Sequence, residues 1–91
     1  MKAVMKDIDM ICYFSFDKEK NKVDVHPIRF RIVENEENQT IKVERVITKT
    51  QQRFQGVIIW VFDCQSVIQG IEKRYQIIYN TKDCKWILAK I

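Results

Sequence analysis

The chain has 91 residues, of which 31% are charged and 46% are hydrophobic, and it carries a net charge of +4. This size and composition exclude a disordered segment and predict one folded domain that spans residues 1–91. No apolar run approaches the ~18 residues that cross a bilayer, and the charged first residues lack a secretory signal, so we expect a cytoplasmic protein without a membrane segment.

The choice of aliphatic residues predicts the fold class. The chain contains fourteen Ile and nine Val, but only one Leu and two Ala. β-Branched side chains pack well on a pleated sheet and lose rotamer freedom in a helix, whereas Leu and Ala are among the best helix formers. The sequence therefore predicts an all-β protein.

Six strands are expected in chain order, because apolar alternation recurs between short polar segments. They cover residues 8–16, 23–33, 40–50, 54–64, 71–79 and 84–91. The polar segments predicted to form turns are residues 17–22, 34–39, 49–53, 65–70 and 80–83. The connections are short enough for hairpins, so neighbouring strands should be antiparallel.

Three of the predicted strands contain irregularities. Pro27 has no N–H group, so the second strand either begins at a sheet edge or contains a bulge. In the third strand the alternation changes phase at Glu44 and Arg45, which indicates a register shift or a bulge. The fourth strand is apolar on both faces, so it is predicted to be central or to cross from one sheet to another.

The predicted architecture follows from these two-sided strands. In so small a chain, strands that are apolar on both faces imply a sheet that closes on itself. We therefore predict five or six antiparallel strands in a small barrel of SH3-like or related form. The alternative is a curved open sheet that dimerises.

Residues suited to catalysis are few. The chain has one His, His26, and two Ser, Ser15 and Ser66. Asp24 is close to His26 in sequence, so a Ser-His-Asp set can be assembled, but no G-x-S-x-G turn accompanies it. We interpret His26 as a structural residue and expect that the protein is not an enzyme.

Metal and cofactor sites are not predicted either. Three cysteines without C-x-x-C spacing favour neither a disulfide framework nor a zinc site, and Cys64 is interpreted as a buried thiol at a strand end. Only two Gly are present, which excludes a Gly-rich phosphate loop. The carboxylates of Glu34, Glu36 and Glu37 are interpreted as a solvated turn. We therefore expect no metal and no cofactor.

The best candidate for a binding site is a set of basic residues with one aromatic neighbour. Residues 41–91 carry nine basic and four acidic residues, a net charge of +5, and such asymmetry attracts polyanions. In small β-barrels, cations follow the phosphates and aromatic faces stack on the bases. The predicted nucleic-acid-binding residues are Arg29, Arg31, Lys42, Arg45, Arg74 and Tyr75. The alternative is a solvated sheet face whose aromatic neighbours belong to the core.

Several segments also resemble a group of short uncharacterised bacterial proteins. The segments are Pro27-Ile28-Arg29-Phe30-Arg31, Ile41-Lys42-Val43-Glu44-Arg45-Val46, Phe62-x-Cys64-Gln65-Ser66, Arg74-Tyr75 and Cys84-Lys85-Trp86-Ile87-Leu88. The resemblance covers residues 23–91. It implies a free-standing small β domain in a bacterial cytoplasm, and it implies no activity, substrate or catalytic residue.

Three functions are therefore weighed. The first is a non-catalytic binding module that binds nucleic acid weakly and without sequence preference through its basic face. The second is a structural or interaction protein, either a homodimer or an accessory subunit that docks by an exposed strand edge. The third and least favoured is a cysteine-dependent enzyme that uses Cys64 and His26.

Overall fold

A computed structural model of the chain describes residues 1–33 and 39–91. The described residues form seven strands and no helix. The strands are β1 (Ala3–Asp17), β2 (Lys22–Ile32), β3 (Thr40–Lys42), β4 (Arg45–Phe54), β5 (Val57–Ile68), β6 (Ile71–Asn80) and β7 (Lys85–Lys90). The all-β prediction is confirmed. The predicted turn at residues 34–39 lies almost wholly outside the described residues.

All seven strands belong to one antiparallel sheet with the order β3-β2-β1-β7-β6-β5-β4. The two edge strands, β3 and β4, are joined by only Val43 and Glu44, so the sheet must curl until its edges meet at that point. The result is a curled, open half-barrel. It corresponds to the alternative of a curved open sheet, and the predicted count of five or six strands is wrong.

The core lies on the concave face of the curled sheet. Phe62, Tyr75 and Ile77 are fully buried there, because alternate residues of neighbouring strands point to the same face. The ring of Trp86 stacks on Phe62 at 5.7 Å and on Tyr79 at 4.6 Å between centroids. Burial of each large side chain stabilises the fold by roughly 1.5–3 kcal/mol, so this aromatic layer contributes much of the stability.

Two hairpin turns are tighter than the sequence predicts. The β4–β5 turn consists of Gln55 and Gly56, and the β5–β6 turn consists of Gln69 and Gly70; all four residues have positive φ. Two-residue turns of this kind match the twist of the flanking strands. The turn predicted at residues 49–53 is therefore wrong, because this segment is paired strand. The turn predicted at residues 65–70 is present only at its last two residues, because residues 65–68 continue β5.

The irregularities predicted in the second and third strands are present. Ile11 pairs with Arg29 but Cys12 pairs with Pro27, so Ile28 is an extra residue in β2. This bulge lies beside Pro27, as predicted from its missing N–H group. The phase change near Glu44 is the break that separates β3 from β4.

β2 and β3 meet β4 and β5 along a line that we call the seam, and side-chain hydrogen bonds connect its two sides. The Ser66 hydroxyl group donates a hydrogen bond to the Lys42 carbonyl oxygen at 2.7 Å and accepts one from the Glu44 N–H at 3.2 Å. Because its single proton is used, Tyr75 must donate the third bond, at 2.6 Å. Burial raises the pKa of Tyr75 to about 12, so this donor keeps its proton at neutral pH.

Candidate interaction surfaces

Two of the predicted basic residues lie side by side on the outside of the sheet. Arg29 on β2 and Lys42 on β3 are cross-strand partners, and both are exposed. Their neighbours Phe30 and Ile41 are buried in the core, so alternation directs the two cations to the convex face. The structure therefore brings these two residues together.

Arg31 also lies on the convex face, but it is already paired. Its Nη2 atom lies 3.0 Å from the Asp9 Oδ2 atom, and both side chains are exposed. An exposed ion pair of this kind contributes only ~0–1 kcal/mol to stability. The Asp9 carboxylate nevertheless reduces the positive potential that Arg31 presents to a polyanion.

The remaining predicted residues divide between the two faces. Arg45 and Arg74 lie on either side of Gln65 in the row across β4, β5 and β6. The Gln65 amide donates a hydrogen bond to Glu72, which places an acidic residue beside this row. Tyr75 is 0% exposed on the opposite, concave face, so its ring is not available to stack on a base. The basic residues therefore have no aromatic platform from Tyr75.

The three side chains of the Ser-His-Asp set lie close together, but not in the geometry that catalysis requires. Ser15 Oγ lies 2.9 Å from His26 Nε2, and Asp24 Oδ2 lies 3.7 Å from the same nitrogen. In a catalytic triad, serine and aspartate contact opposite nitrogens of the imidazole ring. The ring also stacks on Tyr13 at 4.4 Å. The geometry supports a structural cluster between β1 and β2.

Asp24 connects this cluster to β4. The Lys49 Nζ atom lies 2.5 Å from the Asp24 Oδ1 atom. This hydrogen bond holds the pKa of the Asp24 carboxyl group below its ordinary value. The contact joins β2 to β4 across the seam, where no backbone pairing is present among the described residues.

Cys64 lies on the buried face of β5. It is fully buried, and burial raises its pKa to about 12. A nucleophilic cysteine needs access to solvent and a lowered pKa, since the thiolate is the reactive form. The position of Cys64 therefore suits a packing role. Cys84, in contrast, is exposed.

The most unusual surface is the first hairpin, whose residues 9–28 we call the arm. Ile8 is the last residue of β1 that pairs with β7, where it lies opposite Trp86. From there to Asp17, no strand within residues 1–33 and 39–91 pairs with that side of β1. The large apolar side chains exposed on the arm are Ile11, Tyr13, Phe14, Phe16 and Val23.

A cleft of about 700 Å³ separates the free edge of β1 from the β6–β7 turn. Met10 and Phe14 line its arm side, and Tyr79 and Trp86 line its other side. The rings of Phe14 and Tyr79 are 6.2 Å apart between centroids. The floor of the cleft is aromatic, and one side of it is a free strand edge. An extended polypeptide can bind at such a site by adding a strand to the sheet.

Comparison with known proteins adds no candidate site. No protein-family model, curated protein or solved structure matches the chain. Among the residues that the structure describes, no helix is long and apolar enough to span a membrane. In the same part of the chain, no group of three or more His, Cys, Asp or Glu side chains is placed to hold a metal ion. Any function must be argued from the geometry.

Sequence reasoning missed the arm as a site, although a signal was present. Residues 10–16 form a stretch of seven without a charge, and apolar residues occur in it at both odd and even positions. Apolar residues on both faces of a strand predict a central or crossing strand for residues 54–64, and the same pattern also occurs in residues 10–16. In the arm, the same pattern leaves apolar side chains exposed because no second layer from the described part of the chain covers the hairpin.

Proposed function

We propose that this chain is a non-catalytic interaction module that binds another polypeptide by strand addition at the free edge of β1. The observation that carries the proposal is the coincidence of three features in the arm: an unpaired strand edge, five exposed apolar side chains and an adjoining aromatic cleft. Backbone hydrogen bonds along such an edge supply affinity, and pockets for alternate side chains supply specificity.

Another free edge of the sheet, that of β4, supports this proposal by contrast. Within residues 1–33 and 39–91, β4 pairs only with β5, and its exposed residues 48–53 are Thr, Lys and Gln with one Arg. Such polar and charged residues are what proteins use to prevent association at edges. Residues 10–16 of β1 contain neither a charge nor a proline. The β4 edge is therefore protected, whereas the β1 edge is suited to being covered.

The cleft indicates the chemistry of the bound segment. Met10, Cys12 and Phe14 are every second residue of β1 and line the cleft, and Trp86 lies on its other side. An added strand would place every second side chain over these groups. The bound segment should therefore be extended and should carry apolar residues at alternate positions.

Peptide selection followed by mapping tests the proposal. Short random peptides displayed on phage are selected against the immobilised protein at low concentration, and the selected peptides are titrated into isotope-labelled protein. We expect alternating apolar peptides, with the largest amide shifts in residues 9–17 and in the first residues of β7. Shifts centred on β4 or on the Arg29–Lys42 face, or a selection that yields no binder, would contradict strand addition at β1.

Polyanion binding is a second candidate, supported by the cross-strand pair of Arg29 and Lys42. Removal of these two charges by Arg29→Gln and Lys42→Gln should weaken retention on single-stranded DNA and reduce the salt slope by about 1 per residue. Lys18→Gln and Lys82→Gln, on turns outside this face, are the matched controls. Equal effects from the two pairs of substitutions would indicate that the overall positive charge, and not the Arg29–Lys42 face, attracts the DNA. The SH3-like form and the cytoplasmic location stay predictions, and neither proposal depends on them.

A further inference from the structure

We infer that the polypeptide that covers the free edge of β1 is a second copy of this chain, paired antiparallel to β1 across a two-fold axis. This inference rests on the proposed function, since it names the partner of the same edge. An isologous contact requires a surface that complements itself. The arm meets that requirement. In an antiparallel pair of identical strands, residues 10–16 of one copy face the same residues of the other in reverse order, and none of them is charged.

The apolar surface of the arm has the size that such a contact needs. Four of its five exposed large side chains lie on β1 itself, and each is more than half exposed, which leaves on the order of 450 Å² of apolar surface at 150–250 Å² per large side chain. With the backbone of the two paired edges, two copies would together bury about 1,000 Å², the lower bound for a specific interface. We therefore expect a dimer of moderate, micromolar affinity.

The alternation of β1 restricts the register of the pair. Concave-facing residues must lie opposite concave-facing residues, so even positions pair with even positions and odd with odd. With Tyr13 opposite itself, Asp9 would lie opposite Asp17 of the second copy. With Cys12 opposite itself, Asp9 lies opposite Ser15 instead, but the last two residues of the second copy's β1 must then bend away, because β7 already pairs with Asp7 and Ile8 on that side. The first register fits the free edge at residues 9–17 but brings like charges together at its two ends, which destabilises a sheet.

Both registers place the two Cys12 side chains close together. Cβ atoms that are directly opposite are ~4.5–5.5 Å apart, and diagonal neighbours are ~7–8 Å apart. Cys12 is half-buried on the cleft side of β1. A short bifunctional maleimide should therefore join two chains through Cys12 in either register, and Cys64 should not react because it is fully buried.

The experiment combines light scattering with this cross-link. We expect a mass twice the 11.0 kDa of one chain at high micromolar concentration. Ile11→Lys should raise the dissociation constant about tenfold or more, because it places a charge in the interface core. Ile71→Lys is the matched control: Ile71 is 59% exposed and Ile11 is 58% exposed, and only Ile11 lies on the arm. The Cys84→Ser variant should cross-link, and the Cys12→Ser variant should not.

The outcomes distinguish failure of the second copy as the partner from failure of strand addition as the mode of binding. A monomer at all concentrations that still binds selected peptides at residues 9–17 would overturn the second copy and leave strand addition in place. A dimer that is equally sensitive to Ile71→Lys, or that cross-links through Cys84 alone, would overturn the arm as the contact. A monomer whose β1 edge amides are already protected from hydrogen exchange would overturn both proposals.

Discussion

The hydroxyl oxygen of Tyr75 lies 2.6 Å from the hydroxyl oxygen of Ser66, inside the seam of the curled sheet. Ser66 is buried, and its hydroxyl group also contacts the backbone of Lys42, the last residue of β3, and of Glu44, the last residue before β4. One small side chain therefore satisfies three polar groups where the two edges of the sheet meet.

Ser66→Ala should lower the free energy of unfolding by about 1–3 kcal/mol, because it leaves the Tyr75 hydroxyl and the Lys42 carbonyl without this partner in a buried site. Tyr75→Phe should cost less, since it removes one bond and leaves Ser66 with two partners. Urea unfolding followed by Trp fluorescence measures both. Equal stability of Ser66→Ala and the parent would show that the seam does not depend on this hydroxyl group.

Gly70→Ala should destabilise the protein by about 1–2 kcal/mol through backbone strain alone. Gly70 has a φ of +76°, and nothing lies within 4 Å of the position that a Cβ atom would take, so no clash contributes. Gly70→Asn is the control, because asparagine tolerates this region better than alanine. Thermal unfolding compares the three chains, and identical melting temperatures for Ala and Asn would contradict a conformational origin.

Stability should decrease as the pH falls below the ordinary Asp24 pKa of 3.8. The hydrogen bond from Lys49 lowers the pKa of Asp24 in the folded state. A lowered carboxyl pKa contributes stability that is present above the unfolded-state pKa and is lost as the pH falls through the folded-state pKa.

Urea unfolding between about pH 5 and pH 2 measures this dependence. Asp24→Asn should be less stable than the parent at the upper end of that range and should show a shallower loss towards the lower end. Parallel curves for the two proteins would rule out a role for Asp24 in the acid response.

The three thiols should react with iodoacetamide in a fixed order. Cys84 is exposed and should react first, and Cys12 should follow more slowly because burial raises its pKa. Cys64 should react only with unfolded protein, since it is buried and has a pKa of about 12. Mass spectrometry of the labelled peptides gives the rates. Rapid labelling of native Cys64 would return the cysteine-dependent enzyme to consideration.

The sequence predicts the faces of most strands correctly, because alternation determines which side chains share a face. The alternation of residues 71–79 groups Tyr75 with Ile77 and Tyr79, and all three are buried. The sequence predicts only the first part of β4, as the end of the third predicted strand, because residues 49–53 have no apolar alternation. This segment becomes a strand because it pairs with the apolar β5 across a two-residue turn.

The arm could be recognised from the sequence only in part. The apolar stretch of residues 10–16 indicates a strand, but its exposure depends on where β7 begins. β7 begins at Lys85 and runs antiparallel to β1, so it covers β1 only as far as Ile8. This depends on pairing between distant parts of the chain, which local alternation does not contain. The same limit applies to Arg29 and Lys42, which come together through β2–β3 pairing.

The pairing of β1 with β7 also has a kinetic consequence. Ala3 pairs with Lys90, so the central strand pair joins the first and last strands in the described part of the chain. Proteins dominated by such non-local contacts fold on a timescale of milliseconds to seconds. During synthesis residues 3–8 of β1 leave the ribosome long before β7, their partner on that side, has been made. Until then the free edge of β1 extends over residues 3–17 and is open to the wrong partner, including other nascent chains.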